Sequence, residues 1–232
     1  MEAIVLAGGL GTRLRGVVDD VPKPMAPVQG RPFLALVLDQ LVAAGFKTVI
    51  FAAGYLHEAI RSYFGADYRG LVLRYSVEEE PLGTGGAIRL ACEQADARDV
   101  FVLNGDTYLE LDFRAMADVH VRSESPLSMA ICHVPDVARY GALEVDNGIV
   151  RRFLEKGASG PGWINAGIYL LGPDLRARLR PQGAFSFEHD LLAPELSSIP
   201  PLAFRASGLF IDIGIPEDYA RAQRIFSQGP LR

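Results

Sequence analysis

Apolar runs of strand length alternate with segments of helical period through the first half of the chain, and few architectures accept that rhythm. Ala3–Leu6 predicts a strand that runs into a glycine-rich turn. Phe33, Leu34, Val37, Leu38, Leu41 and Val42 line one face of a helix that Gly45 stops. Thr48–Ala52 predicts a second buried strand, Glu58–Phe64 a short helix, Leu71–Val77 a third strand, Gly85–Gln94 a helix and Val100–Leu103 a fourth strand. Strand and helix in alternation predict an α/β fold of Rossmann-like type, with a mainly parallel sheet and helices on both faces.

Past Pro126 the pattern loosens into Leu127–Val134, Gly141–Val145, Val150–Leu154 and Ile164–Leu171. These read as added strands, some antiparallel, so the sheet is expected to be mixed. Leu209–Ile213 predicts one more strand, and Pro216–Phe226 a closing helix with proline in its first turn. No internal repeat, low-complexity tract or linker divides the chain. At 232 residues, enough surface can be buried for one substantial core without staples. A single domain over residues 1–232 is therefore expected.

The net charge of −5 and the lack of a dense basic run argue against nucleic acid as a partner. Cys92 and Cys132 are far apart and read as ordinary buried thiols. The N-terminus has no basic region and no long apolar stretch, so neither a signal peptide nor a membrane anchor is expected, and the location expected is cytoplasmic.

The stretch AGGLGTRLRGVVDDVPKPM follows the first strand. Gly8, Gly9 and Gly11 let backbone N–H groups approach a ligand without Cβ interference. The familiar phosphate motifs do not fit: there is no G-x-x-x-x-G-K-[ST], and the third glycine of the dinucleotide fingerprint is missing. Alone, the glycines suit a structural turn as well as an anion site. Arg13, and Lys23 between Pro22 and Pro24, add two cations near a strand's C-terminal end, where open α/β sheets bind ligands. Together these residues point to a polyphosphate.

This stretch resembles the signature of the sugar-nucleotidyltransferases, which join a nucleoside triphosphate to a sugar 1-phosphate. The resemblance continues through EEEPLGTGGAI, LNGDT, RYGALEV, FLEK, INAGIYLL and FIDIGIPEDY, and so spans nearly the whole chain. It is strongest to members that act on a D-glycero-D-manno-heptose 1-phosphate with GTP. It implies the nucleotide-diphospho-sugar transferase type of fold without a C-terminal β-helix, with residues 1–125 forming a nucleotide-binding half and 126–232 a sugar-phosphate-binding half.

By that resemblance, Leu6, Ala7, Gly8, Gly9, Gly11 and Thr12 wrap the nucleotide, and Arg13 and Lys23 hold its triphosphate. Glu80, Gly83 and Thr84 are expected at the base, where a carboxylate such as Glu80 can accept from guanine N1–H and its amine. Asp106 and Asp212, each at a strand end, are expected to hold Mg²⁺, which takes one or two carboxylates plus phosphates and water. Asn104, Gly141, Glu155, Lys156 and Asn165 are expected at the sugar phosphate. Glu217 and Asp218 suit a helix N-terminus and receive no role. Trp163 reads as core filling, and His57, His120, His133 and His189 as structural or surface residues.

The reaction implied is attack by a sugar 1-phosphate oxygen on the α-phosphorus of the nucleotide, with pyrophosphate leaving. Arg13, Lys23, Asp106 and Asp212 would carry the chemistry, and no general base is required. Rival readings are UTP with an N-acetylmuramic acid or hexose phosphate, GTP with mannose 1-phosphate, or a regulatory nucleotide-binding subunit. The partners expected are the nucleoside triphosphate and the sugar 1-phosphate; the oligomeric state stays open, a homodimer included.

Overall fold

The first strand, β1 (Glu2–Leu6), buries Ala3, Ile4 and Val5 completely, which places it inside a sheet covered on both faces. The structure is a computed structural model, and it describes residues 1–8, 21–54, 57–154, 157, 159–179 and 183–227. After β1 come β2 (Pro27–Val28), β3 (Arg31–Pro32), α1 (Phe33–Ala44), β4 (Thr48–Ala53), α2 (His57–Phe64), β5 (Asp67–Tyr68), β6 (Leu71–Val77) and α3 (Gly83–Cys92). There follow β7 (Val100–Asn104), β8 (Thr107–Leu109), α4 (Phe113–Ser123), β9 (Leu127–Val134), β10 (Leu143–Asp146), β11 (Ile149–Phe153) and β12 (Gly162–Leu171). The remainder holds α5 (Pro173–Arg178), a π-helical turn over Phe187–Leu192 that runs into α6 (Ala193–Glu195), β13 (Leu202–Ala206), β14 (Phe210–Asp212) and α7 (Pro216–Phe226).

Ten strands form one sheet in the order β10-β11-β13-β9-β12-β7-β1-β4-β6-β5. β1 pairs in parallel with β4 and β7, and β4 with β6. β12 runs antiparallel to both β7 and β9, whereas β13 is parallel to β9. The sheet is thus mixed, with its parallel block in the first half of the chain. Alternation along β1 sends Ala3 and Val5 to a core shared with Phe33, Leu34 and Leu38 of α1. Ile4 faces the other way, into a core shared with Ile88 and Ala91 of α3 and Phe187 of the π-helical turn. Among the described residues no helix is long and apolar enough to cross a membrane.

The strand expected over Leu71–Val77 and the closing helix over Pro216–Phe226 have those bounds, and α1 ends at Gly45 as expected. Gly45 sits at φ +84°, and its N–H reaches the carbonyls of Leu41 and Val42. Other bounds differ. α3 begins at Gly83 instead of Gly85, and β10 begins at Leu143 instead of Gly141, because Gly141 turns at φ +82° with its N–H on Val137 O. The strand expected over Leu209–Ile213 is β14 (Phe210–Asp212), and it pairs with β8; α4, β8 and β13 are not foreseen in the sequence.

Candidate active site at the ends of the parallel strands

Backbone approaches too close for any side chain assemble the floor of the site. Gly105 donates its N–H to Leu6 O at 2.9 Å, tying the end of β7 to the end of β1. A Cβ on Gly105 would stand 2.6 Å from that same oxygen and 3.3 Å from Pro24 Cγ, so only glycine fits. Ala7 continues the ladder by donating to Ala52 O at 2.9 Å. Gly8 then meets Glu78: a Cβ there would lie 2.9 Å from Glu78 Oε1 and 3.0 Å from Gly54 N. Gly9, Gly11, Thr12 and Arg13 lie outside the described residues.

Glu78, which the sequence reading passed over, is therefore the carboxylate that stands against the glycine turn. Its backbone N–H extends β6 by donating to Ala53 O at 3.2 Å, and its Oε2 accepts from Leu82 N at 2.8 Å. Glu80 is exposed. Gly83 takes φ +66°, and a Cβ there would stand 2.6 Å from Phe185 O. Phe185 N donates to Leu82 O, Gly85 N to Phe185 O, and Phe187 N to Thr84 Oγ1, all within 3.0 Å. Gly83 and Thr84 are thus bound into a seam with residues 185–187, and the Thr84 hydroxyl keeps its hydrogen to donate.

The two aspartates meet through the β8–β14 ribbon. Thr107 is paired with Asp212, and Ile213 N donates to Asp106 O at 3.1 Å. Lys23 enters from a 3₁₀ turn over Lys23–Met25 that Pro22 opens, with Ala26 N closing on Lys23 O at 3.0 Å. Its ammonium is hydrogen-bonded to Asp106 Oδ2 and stands 3.7 Å from Asp212 Oδ1. Gly214 N donates to the same Asp212 oxygen at 2.7 Å. Burial, and after it the negative charge of Asp106, raises the Asp212 carboxyl above its ordinary range, against the pull of Lys23. Among the described residues Lys23 is the cation within 4 Å of both carboxylates, with the charge of Arg139 acting on Asp212 from further away. Oxygen donors alone, two from protein, suit a hard divalent cation completed by phosphate and water. Among the described residues no group of three His, Cys, Asp or Glu side chains offers a fuller cage.

On the sugar side, Asn104 ends β7, in register with Leu6. A Cβ on Gly167 would stand 2.5 Å from Asn104 Nδ2, so the turn after Asn165 presses against Asn104. Asn165 is expected to offer its amide to a sugar, but that amide is engaged: Nδ2 donates to the Tyr169 hydroxyl at 2.6 Å and to Glu188 Oε1 at 3.0 Å. Glu155 and Lys156 lie outside the described residues. Asp218 does more than suit a helix N-terminus, since its Oδ2 accepts from Arg139 Nη1 at 2.6 Å. That bond fastens the turn carrying Tyr140 and Gly141 to the start of α7. Trp163 is half-buried, with Arg205 over its ring at 5.1 Å. His120 is buried, with Nδ1 against Ser128 Oγ at 2.8 Å and Nε2 3.8 Å from Asp99 Oδ1. A cavity of about 960 Å³ lined by Tyr108, Glu110, Phe204 and Phe226 contains none of the candidate residues.

The family model described as nucleotidyl transferase matches residues 2–228. A D-glycero-alpha-D-manno-heptose 1-phosphate guanylyltransferase of Aneurinibacillus thermoaerophilus is 42% identical, over 97% of each chain. One of Campylobacter jejuni is 41% identical over 94% of this chain and 97% of its own. The crystal structure of HddC from Yersinia pseudotuberculosis complexed with GMP-PN superposes with a TM-score of 0.87 at 39% identity, covering 97% of this chain and 99% of that one.

Proposed function

The chain belongs to the nucleotidyl transferase family, and we propose that it transfers GMP from GTP to D-glycero-D-manno-heptose 1-phosphate. The observation that carries this reading is the full-length likeness to two heptose 1-phosphate guanylyltransferases, joined to the convergence of Lys23, Asp106 and Asp212. A phosphate oxygen of the sugar attacks the α-phosphorus, a new P–O bond forms, the α–β anhydride bond breaks, and pyrophosphate leaves with its electron pair. A phosphate monoester is a nucleophile at neutral pH, so the chain needs to supply alignment and positive charge rather than a base.

In this reading the backbone of Leu6, Ala7, Gly8, Gly9, Gly11 and Thr12 cradles the nucleotide, with Arg13 and Lys23 on the triphosphate. Asp106 and Asp212 hold Mg²⁺, which when bound offsets charge on the phosphates. Lys156 binds the sugar phosphate, Glu155 a sugar hydroxyl, and Asn104 and Gly141 shape the space beside the ring. Glu78 replaces Glu80 as the carboxylate for guanine, because it is the one held against Gly8 and Leu82. Gly83 and Thr84 hold the base segment. One domain contains both half-sites, a reading supported by the sheet's use of strands from both halves of the chain.

Pyrophosphate release over a grid of GTP, UTP, CTP and dTTP against heptose, mannose and N-acetylhexosamine 1-phosphates tests the proposal. GTP with the heptose is expected to give the highest kcat/KM. Preference for UTP or for an N-acetylated sugar would overturn the substrate assignment.

A further inference from the structure

Two donors converge on one oxygen of Glu188. The Tyr169 hydroxyl donates to Oε1 at 2.6 Å, and Asn165 Nδ2 donates to the same atom at 3.0 Å. Asn165 Oδ1 accepts from Gly167 N at 3.0 Å, so both hydrogens of the amide and one acceptor position are taken up inside the protein. Tyr169 is buried, and burial together with the Glu188 charge holds its phenol protonated, a fixed donor. The second carboxylate oxygen, Oε2, accepts from none of the described residues. It is not an orphan in the core either: the buried side-chain atoms without partners among the described residues are Ser76 Oγ and Arg89 Nε.

Local backbone irregularities place this group. The pairing of β12 with β9 shifts register between Asn165 and Tyr169, and Gly167 turns there at φ +70° against Asn104. Glu188 comes from the π-helical turn, a geometry that recurs at functional sites. The residues just before it are bonded to Leu82 and Thr84 of the base segment. Glu188 therefore stands on a frame shared by both half-sites, bonded to β12, the strand beside β7, which ends at Asn104.

We infer that Glu188 is the residue that selects the sugar, its Oε2 accepting a hydrogen bond from a ring hydroxyl of a manno-configured sugar 1-phosphate. The inference rests on the guanylyl-transfer reading above. Asn165 and Tyr169 are then positioning residues, which fix the carboxylate by occupying its other oxygen. A carboxylate only accepts, so the group it reads must donate, and a ring position bearing fluorine or hydrogen fails there. Losing a hydrogen bond to a charged group in such a site lowers kcat/KM by about tenfold to a hundredfold.

The test is a cycle of Glu188→Gln against mannose 1-phosphates in which one hydroxyl at a time is replaced by fluorine, with GTP saturating. In the unaltered enzyme one position is expected to carry a penalty of about tenfold or more. In Glu188→Gln the parent sugar should lose a similar factor, that one penalty should shrink towards unity, and the other positions should keep theirs. KM for GTP and the melting temperature should stay unchanged, which a merely structural role for Glu188 would not allow. Equal penalties at every position in both enzymes would overturn the role of Glu188 while leaving guanylyl transfer standing. Absence of turnover by the unaltered enzyme with GTP and any manno-configured 1-phosphate would overturn both.

Discussion

The Lys23 ammonium stands 3.7 Å from Asp212 while hydrogen-bonded to Asp106, so one cation is shared by two carboxylates from distant parts of the chain. Removing either carboxylate alters the charge that the site can hold. Asp106→Asn and Asp212→Asn are each expected to lower kcat by roughly a thousandfold. Pyrophosphate release with Mg²⁺ varied, alongside circular dichroism, checks this. Undiminished Mg²⁺-dependent turnover in a folded variant would refute the metal assignment.

Asp212→Asn should also stabilise the protein in the absence of ligands. Burial and the Asp106 charge raise the Asp212 carboxyl in the folded state. A carboxyl so raised contributes stability that is complete below its unfolded value, about 3.9, and is lost as pH rises through the folded value. At neutral pH the charged Asp212 is a net cost, which asparagine relieves while still accepting from Gly214 N. A melting temperature a few degrees higher at pH 7.5 is expected, since about 1 kcal/mol corresponds to roughly 2–4 °C in a chain of this size. The gain should shrink as pH falls, and a lower melting temperature at pH 7.5 would contradict the assignment.

Gly105→Ala tests the close approach of β1 and β7. The added methyl would meet Leu6 O at 2.6 Å and Pro24 Cγ at 3.3 Å, and the backbone cannot yield without moving Asp106. A loss of about 1–3 kcal/mol in a denaturant titration is expected, with a larger proportional loss of turnover. Unchanged activity would show that the strand end tolerates displacement.

Glu78→Gln addresses the base. Its neutral amide oxygen can keep the bond from Leu82 N, but the charge that would pair with guanine N1–H and its amine is gone. The preference for GTP over UTP is expected to fall by roughly a hundredfold, and ITP should approach GTP in kcat/KM. Glu80→Gln, at an exposed position, should leave both ratios as they are.

His120 should give the protein an acid-sensitive margin. Burial, partly offset by the charge of Asp99, lowers the imidazole's proton affinity, and Nδ1 pairs with Ser128 Oγ at 2.8 Å. For a base lowered in the folded state, stability is complete above the unfolded value, about 6.5, and falls as pH drops towards the folded one. Melting curves between pH 8 and pH 5 should therefore slope less steeply in His120→Asn than in the unaltered chain. Parallel slopes would exclude this histidine as a source.

The parallel block was legible because β1, β4 and β7 are apolar runs followed by glycine-containing turns, and β6 alternates buried and exposed residues at its start. α4 was not, because its buried face is Phe113, Met116 and His120, and a buried histidine breaks the apolar period. β13 is short and half-buried, with Arg205 in it, and offers little alternation to read. At the site, Asp106 and Asp212 were legible as carboxylates following apolar strands, but the ribbon joining them is too short to foresee. Glu78 could have been chosen over Glu80 by nearness: it directly follows the strand Leu71–Val77, whereas Glu80 lies two residues further on and is exposed. Glu188 left no such trace, since the helical period fails in a π-helical turn.

The ribbon of β8 and β14 also sets the order in which the enzyme comes to life. As the chain leaves the ribosome, β1, β4, β6 and β7 emerge early and can pair, but Asp106 waits for β14 before it has Asp212 beside it. In a half-made chain the parallel strands can thus pair before Asp106 has Asp212 beside it. In the finished protein the same dependence runs in reverse. Three residue pairs and the flanking bonds from Ile213 N and Glu110 N join β14 to β8, and fraying of so short a ribbon on warming is expected to silence the enzyme before the ten-stranded sheet opens. Heat inactivation should accordingly precede unfolding.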